Sequence, residues 1–336
     1  MASCDSQASL ISQANALYEK GDYSNALDYY KRELNACEST LGKGNDQPET
    51  LLMIHKIGIV YDKKGEYDKA LRYYARLLNG MESKIGPDHP ETLKTVSSIG
   101  LLYFHKKEYN KALNLFERAL KGLYSSLGED NIETLNTVSY MADAYSMKGE
   151  DKKALDYYER ALNGLESTLG NHPDTFRTIN AIGDFYKKKG EVSKAIEYYE
   201  RALEMMDHIL GIHPDTMRTM NEIGLTYLSI GEYDKALDYC ERALKGREKV
   251  LGENHPETIK NINILGDIYT KKGDYDEALD CFELALLKEL VTMGKDHFQT
   301  VDTIRSIRAV YVKKGEYGKA LKWSMRVLKG NYDLIQ

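Results

Sequence analysis

Residues 251–275 read LGENHPETIKNINILGDIYTKKGDY. Pro256 suits the first turn of a helix, because a residue there needs no backbone N–H donor, and Glu257 favours the positive end of the helix dipole. Gly273 can adopt the left-handed conformation that ends a helix. The stretch therefore predicts a joint, then a helix, then a tight turn.

Both signals recur along the whole chain. Similar joint segments of this chain end at Thr92, Thr175 and Thr216, and the turn recurs every 41 to 44 residues. The length differences fall in the joint, which places the joint on the surface and the rest in packed structure. The eight turns are centred on Gly21, Gly65, Lys107, Gly149, Gly190, Gly231, Gly273 and Gly315.

Each repeated unit predicts two helices. In the first, Val96, Ile99, Gly100 and Tyr103 follow the spacing of one helix face. In the second, apolar residues alternate steps of three and four: Leu113, Phe116, Leu120, Leu123 and Leu127. A helix pair of this kind cannot bury its apolar face alone, so neighbouring units must stack. The chain is expected to hold about sixteen helices.

A period near 42 also suits HEAT, armadillo and WD40 repeats, and three residue columns distinguish among them. The first helix carries a small residue (Gly58, Gly100, Ala142, Gly183, Gly224, Gly266) and then tyrosine (Tyr61, Tyr103, Tyr145, Tyr186, Tyr227, Tyr269, Tyr311). The second helix carries alanine in all eight units: Ala26, Ala70, Ala112, Ala154, Ala195, Ala236, Ala278 and Ala320.

This order resembles the tetratricopeptide repeat, in the 42-residue variety of kinesin light chain and nephrocystin-like proteins. The resemblance implies an all-α, right-handed superhelical solenoid whose first helices line the concave side. Met1 to Gln13 leave no room for the light chain's N-terminal coiled coil, so the resemblance is to its repeat array. We expect one solenoid over 1–336, with units near 6–41, 48–85, 90–127, 132–169, 173–210, 214–251, 256–293 and 298–330.

Composition excludes several classes of function. The net charge of −6 argues against bulk nucleic-acid binding, which needs a basic surface. No apolar run approaches the length of a membrane span, and the polar N-terminus does not read as a signal peptide. Four cysteines without a CxxC pair favour a reducing, cytoplasmic location.

Catalytic motifs are absent from the sequence. It contains no P-loop, Gly-x-Ser-x-Gly elbow, HExxH or Gly-x-Gly-x-x-Gly. Histidines recur at the joints one unit apart, too far from each other to converge on a metal ion: His89, His172, His213, His255 and His297. We therefore expect no enzyme activity, metal or cofactor.

A second stripe lies beside the core stripe of the first helices. It combines a basic row, an asparagine-rich row and an apolar or acidic row at i, i+3 and i+7. Asparagine offers both a donor and an acceptor to a peptide backbone, and the basic row favours acidic peptides. The predicted peptide-binding residues are Lys94, Ser97, Leu101, Asn136, Arg177, Asn180, Asp184, Arg218, Asn221, Leu225, Lys260, Asn263, Asp267 and Arg305.

The sequence thus favours a scaffold or adaptor that holds extended peptides of partner proteins. One alternative is a spacer array that binds through its ends or convex face, or self-associates through the last unit near Trp323 and Tyr332. Another is an enzyme or nucleic-acid binder with no recognised motif. The sequence leaves one feature unexplained, glycine in the middle of second helices: Gly80, Gly122, Gly164, Gly246 and Gly330.

Overall fold

A computed structural model describes residues 2–41, 47–295 and 297–329, which form α-helices joined by short turns, without a strand. This confirms the all-α prediction and the expected helix number. The helices are α1 (Ala2–Glu19), α2 (Tyr23–Leu41), α3 (Pro48–Lys63), α4 (Tyr67–Ile85), α5 (Pro90–His105), α6 (Tyr109–Leu127), α7 (Ile132–Lys148), α8 (Asp151–Leu169), α9 (Pro173–Lys188), α10 (Val192–Ile209), α11 (Pro214–Ser229), α12 (Tyr233–Leu251), α13 (Pro256–Lys272), α14 (Tyr275–Thr292), α15 (Phe298–Lys313) and α16 (Tyr317–Lys329).

The helices group into two compact units, Met1–Ala181 and Ile182–Gln336. In the first unit, each helix from α1 to α7 packs against the next one along the chain. In the second unit, each helix from α10 to α15 does the same. Sequential stacking of helix pairs is therefore present in each unit, while a single solenoid over the whole chain stays a prediction.

The core of a repeat depends on a close approach between its two helices. A β-carbon at Gly100 would lie 2.5 Å from the ring of Phe116, and one at Gly183 would lie 2.6 Å from the ring of Tyr199. Both rings are fully buried. The small column thus gives the aromatic column its space, as expected where two helices touch.

The mid-helix glycines have the same kind of explanation. A β-carbon at Gly122 would lie 2.5 Å from Leu93, and one at Gly164 would lie 2.5 Å from Leu135. In each case the leucine belongs to the first helix of the same repeat. Close packing therefore accounts for Gly122 and Gly164. Gly330 lies outside the described residues.

The turns follow the predicted chemistry with one exception. Gly149 and Gly273 end α7 and α13 in the left-handed conformation, at φ of 79° and 99°. The equivalent residue after α5 is Lys107, at φ 63°, the one described non-glycine residue with positive φ. A side chain in this conformation costs about 1–2 kcal/mol.

Lys107→Gly is therefore expected to raise the free energy of unfolding by about 1 kcal/mol, since glycine adopts this conformation without strain but loses more chain entropy. Urea denaturation followed by circular dichroism measures the change. The matched control is Lys106→Gly, whose φ of −74° suits any residue. A larger gain at position 106 than at 107 would contradict the explanation.

The joint histidines cap the first helices. The Nδ1 atom of His255 accepts a hydrogen bond from the Glu257 amide at 3.1 Å, and His89 caps α5 in the same way. Asn131 does the same for α7 through its side-chain oxygen, at 3.0 Å from the Glu133 amide. These side chains have a structural role that requires an unprotonated acceptor.

Burial lowers the pKa of His255 below its usual value near 6.5. The unfolded chain therefore binds a proton before the folded chain does, and stability is lost as pH falls from about 6.5 through the folded pKa. His255→Asn places at position 255 the capping residue that α7 has in Asn131, and asparagine does not titrate. The variant is therefore expected to lose about 1 kcal/mol less stability than the parent at low pH, which is the typical contribution of an N-cap. Thermal unfolding between pH 5 and 7.5 tests this, and an unchanged pH slope in the variant would refute it.

Candidate functional site

The predicted binding residues lie on the first helices α5, α7, α9, α11, α13 and α15, and we refer to them as the first-helix stripe. Because the chain forms two compact units, the stripe has two parts. Lys94, Ser97, Leu101, Asn136, Arg177 and Asn180 belong to the first unit. Asp184, Arg218, Asn221, Leu225, Lys260, Asn263, Asp267 and Arg305 belong to the second unit.

In the first unit, the basic row bridges neighbouring first helices. Lys94 Nζ lies 2.6 Å from a Glu133 carboxylate oxygen, from α5 to α7. The Arg177 guanidinium donates to the Asn136 side-chain oxygen at 2.7 Å and lies 4.6 Å from the centre of the Tyr140 ring. These two cations hold repeats together, so less of their charge is available to a ligand.

In the second unit, the basic row is more accessible. Arg218 lies 3.6 Å from Asp215, and Arg305 lies 2.7 Å from Asp302, both pairs within one helical turn and about half exposed or more. Lys260 is exposed, and within the described part of the chain it forms no hydrogen bond or ion pair. Exposed pairs of this type contribute at most about 1 kcal/mol each, so a ligand can compete for these cations.

The acidic row has a distinctive environment. Asp184 and Asp267 are exposed to solvent, yet surrounding protein atoms restrict their hydration and raise the pKa of both. Both carboxylates therefore lie at the surface with protein atoms close beside them. Lys271 and Lys313 oppose the pKa increase at Asp267, which places both cations near this carboxylate.

The acidic residues differ in their partners. The Tyr158 hydroxyl donates to Asp143 at 2.6 Å, and the Tyr199 hydroxyl donates to Asp184. Phe282 occupies the corresponding position in the repeat that contains Asp267, and a phenylalanine has no hydroxyl to donate. The Asp267 carboxylate consequently remains available as an acceptor on the surface.

The asparagine row lies deeper than its sequence suggests. Asn136, Asn180 and Asn221 are buried. Asn263 donates to Glu289 at 2.9 Å, and its oxygen accepts from the Thr303 hydroxyl at 3.3 Å. The side-chain oxygen of Asn221 is buried with no hydrogen-bond partner among the described residues. That oxygen is covered by protein atoms, so binding of a peptide amide by this row stays a prediction.

The remaining stripe residues belong to the asparagine-rich row and to the apolar or acidic row. Ser97 is buried and lies 3.2 Å from the Thr137 hydroxyl of the next first helix. Leu101 and Leu225 are half-buried, so each leaves part of an apolar side chain open to a ligand. The stripe therefore combines interhelix contacts with a smaller accessible set.

Two buried charged residues beneath the stripe are not among the predicted binding residues. Arg247 donates to the Asn261 side-chain oxygen at 3.0 Å and to the Glu257 carbonyl at 3.2 Å, and burial lowers its pKa. Glu289 accepts a hydrogen bond from the Asn263 amide at 2.9 Å and another from the Thr303 hydroxyl at 3.1 Å. Burial raises the pKa of Glu289.

The sequence does contain a signal for these two residues. Their column in the second helices is otherwise apolar in repeats two to five: Met81, Leu123, Leu165 and Met206. A break from an apolar column to Arg247 and then Glu289 marks a local change in the packing between repeats. Through Asn263, Glu289 connects this buried layer directly to the first-helix stripe.

These stacked helix pairs define an α-helical repeat protein, a class in which neighbouring repeats form extended binding surfaces. The chain belongs to the tetratricopeptide repeat family, whose sequence profile matches residues 5–83, 49–125, 99–167, 132–208, 174–239 and 215–286. A search of curated proteins finds no match.

Solved structures show the same fold at low sequence identity. The TPR-like repeats assigned to a kinesin light chain of Podosopora anserina are 21% identical, with a TM-score of 0.52 over 61% of this chain and 98% of theirs. The apo quorum sensor NprR from B. thuringiensis is 17% identical, with a TM-score of 0.61 over 96% of this chain and 86% of its own. A Rap protein complexed with Competence and Sporulation Factor is 15% identical, with a TM-score of 0.58 over 97% of each chain.

In the described ranges 2–41, 47–295 and 297–329, no helix is both long and apolar enough to span a bilayer.

Proposed function

We propose that this chain is a non-catalytic scaffold that binds extended peptide segments of partner proteins along the first-helix stripe, with a preference for acidic peptides. One observation carries the proposal. The second unit presents the exposed Lys271 and Lys313 beside the Asp267 carboxylate, which has no tyrosine donor, and the exposed Lys260 about two helical turns earlier on α13. The cations attract acidic side chains, while Asp267 accepts from a peptide amide.

The similar structures support the general role. Rap is complexed with a factor, and tetratricopeptide repeats are interaction modules. The free thiols of Cys37, Cys240 and Cys281 lead us to infer a cytoplasmic location, because disulfides are uncommon in reducing compartments.

The test compares two pools of fluorescent twelve-residue peptides, one enriched in Asp and Glu and one in Lys and Arg. We expect anisotropy titration to give tighter binding of the acidic pool and weaker binding at high salt. The double variant Lys260→Glu/Lys271→Glu should bind the acidic pool about tenfold more weakly, since two accessible charges contribute roughly 1.4 kcal/mol together.

The matched control is Lys245→Glu/Lys249→Glu, which changes two exposed lysines on the second helix α12. It changes the net charge without touching the stripe. Equal binding of both peptide pools, or an equal loss in the control, would contradict the proposal. Asparagine variants are less suitable for this test, because Asn263 already bonds Glu289 and Thr303 within the fold.

Self-association is a second candidate role. Trp323 is buried against the last core cluster, so it does not form the exposed patch expected from the sequence, and Tyr332 lies outside the described residues. Exposed apolar side chains occur instead at Leu321 on α16 and along α14. An interaction between copies of the chain would use these exposed surfaces.

A further inference from the structure

One position of the first helices depends on the residue fifteen places later, in the second helix of the same repeat. In three repeats a tyrosine of the second helix donates its hydroxyl to a polar side chain at this position: Tyr30 to Asn15, Tyr158 to Asp143 and Tyr199 to Asp184. In two others the second helix has no hydroxyl, and the first helix has leucine: Leu101 with Phe116 and Leu225 with Cys240. In these five repeats a polar side chain occurs only where the fold supplies its donor.

Asp267 is the exception to this pattern. Its partner position holds Phe282, whose buried ring offers no hydroxyl. Asp267 is exposed, and within the described part of the chain its carboxylate forms no hydrogen bond. Packing of the repeat does not require a carboxylate here, since leucine occupies the same position in two other repeats. The carboxylate is therefore an acceptor that the fold itself leaves unused.

Lys271 provides a donor on the same face of α13. It lies four residues after Asp267, about 6 Å along the helix axis, and it is exposed. The two side chains do not form an ion pair, so the ammonium nitrogen and the carboxylate oxygens lie more than 4.0 Å apart. Among the described residues Lys271 has no other hydrogen bond or ion pair. An unused acceptor and an unused donor thus lie one helical turn apart.

A primary carboxamide matches this arrangement. Its nitrogen donates and its oxygen accepts, and both atoms lie at the same end of one side chain. A trans peptide group in the main chain of a ligand directs its N–H and C=O to opposite sides instead. A carboxylate lacks the donor that Asp267 requires. A cationic side chain lacks the acceptor that Lys271 requires, and both Lys271 and Lys313 repel it.

We propose that Asp267 and Lys271 form a subsite for the side-chain carboxamide of an asparagine or glutamine in the bound peptide. The carboxamide nitrogen donates to Asp267, and the carboxamide oxygen accepts from Lys271. Lys260 and Lys313 are then left for acidic residues of the same peptide. This inference rests on the proposed function, to which it adds a side-chain preference that charge attraction alone does not produce.

A fluorescent twelve-residue peptide of six Glu-Ala repeats is the probe. Each alanine is replaced in turn by glutamine, which leaves the net charge unchanged. We expect anisotropy titration to show that the best glutamine peptide binds about tenfold more tightly than the parent peptide, because it gains two hydrogen bonds to charged groups. A serine scan of the same peptide should give a smaller gain, because a single oxygen atom must then serve both charged groups.

Two variants test the assignment to Asp267. Asp267→Leu installs the residue that other repeats carry at this position, so the fold should persist, as circular dichroism would verify. It should reduce the glutamine gain to less than twofold and leave the parent peptide bound at least as tightly, because a negative charge is removed. Phe282→Tyr supplies the hydroxyl that Tyr199 gives to Asp184, and it should reduce the gain severalfold while all charges remain.

The double variant Asp184→Leu/Tyr199→Phe is the matched control. It reproduces the pair of Leu101 and Phe116 at a position where the fold already uses the carboxylate. The glutamine gain should be unchanged in this variant. An equal loss of the gain in the control would show that the effect is not specific to Asp267.

The outcomes separate this inference from the proposed function. If the parent peptide binds and no glutamine peptide binds more tightly, the carboxamide subsite is wrong and the acidic preference stands. A glutamine gain that survives Asp267→Leu, or a larger gain with serine, also overturns the subsite. If neither the parent nor any glutamine peptide binds, both proposals are wrong.

Discussion

Asn261→Thr is expected to lower the free energy of unfolding by about 3 kcal/mol. Asn261 is fully buried, where its oxygen accepts from Arg247 and its amide donates to the Cys240 carbonyl at 3.0 Å. The substitution leaves a buried guanidinium and a buried carbonyl short of partners. Losing a hydrogen bond to a buried charged group costs roughly 1.5–3 kcal/mol, and the carbonyl adds to this.

The introduced hydroxyl makes the loss worse for Arg247. Threonine occupies this position in several first helices, where it donates to the carbonyl four residues earlier, as Thr95 does to Glu91 at 3.1 Å. At position 261 that carbonyl belongs to Glu257, which already accepts from Arg247. The hydroxyl would compete with the guanidinium for the same acceptor.

The repeats themselves supply the control. Repeats three and four combine leucine at the Arg247 position with threonine in the following first helix, as Leu123 with Thr137. Arg247→Leu/Asn261→Thr should therefore return to within about 1 kcal/mol of the parent, a coupling of roughly 2–3 kcal/mol. Urea denaturation measures the four stabilities, and hydrogen exchange in α12 and α13 locates the effect. Additive losses would show that the network carries no coupling.

The helices and joints were predictable because their signals are local and repeated. Proline at the start of α13 and glycine at its end define that helix without knowledge of its neighbours. The columns of glycine and alanine predicted close helix contacts for the same reason. Repetition strengthened each signal, so that even the exceptional turn at Lys107 was located by its register.

The candidate site was less predictable, because its properties depend on the distance between neighbouring first helices. Ser97 and Asn136 read as accessible polar residues, yet the adjacent helix bonds to one through Thr137 and to the other through Arg177. Periodicity identifies a helix face but not how far the next helix covers it. The sequence does predict that Asp184 has a hydroxyl partner and Asp267 does not, because Phe282 replaces the tyrosine that donates to Asp184.

Glu289→Met is expected to raise the free energy of unfolding by about 2 kcal/mol at neutral pH. Glu289 is buried, and one of its carboxylate oxygens has no hydrogen-bond partner among the described residues. Replacing a buried charge by an apolar residue of similar size often stabilises a protein by about 1–4 kcal/mol. Methionine already occupies the equivalent position at Met81 and Met206.

The gain should depend on pH in a defined direction. Burial raises the pKa of Glu289, so the folded chain keeps a proton that the unfolded chain releases above about 4.3. Stability from this group is therefore lost as pH rises from about 4.3 through the folded pKa. The difference between Glu289→Met and the parent should be small near pH 4 and grow towards pH 7.

Glu289→Gln separates charge from hydrogen bonding. Its side-chain oxygen can still accept from Asn263 and Thr303, but it does not titrate. The stability of both variants should lack the pH dependence that Glu289 contributes to the parent. Gln should also keep the contact that supports the first-helix stripe. Urea denaturation at pH 4, 5, 6 and 7 measures this. A pH-independent gain would contradict the raised pKa of Glu289. A loss of stability in both variants at pH 7 would show that the buried carboxylate is stabilised by contacts other than these two hydrogen bonds.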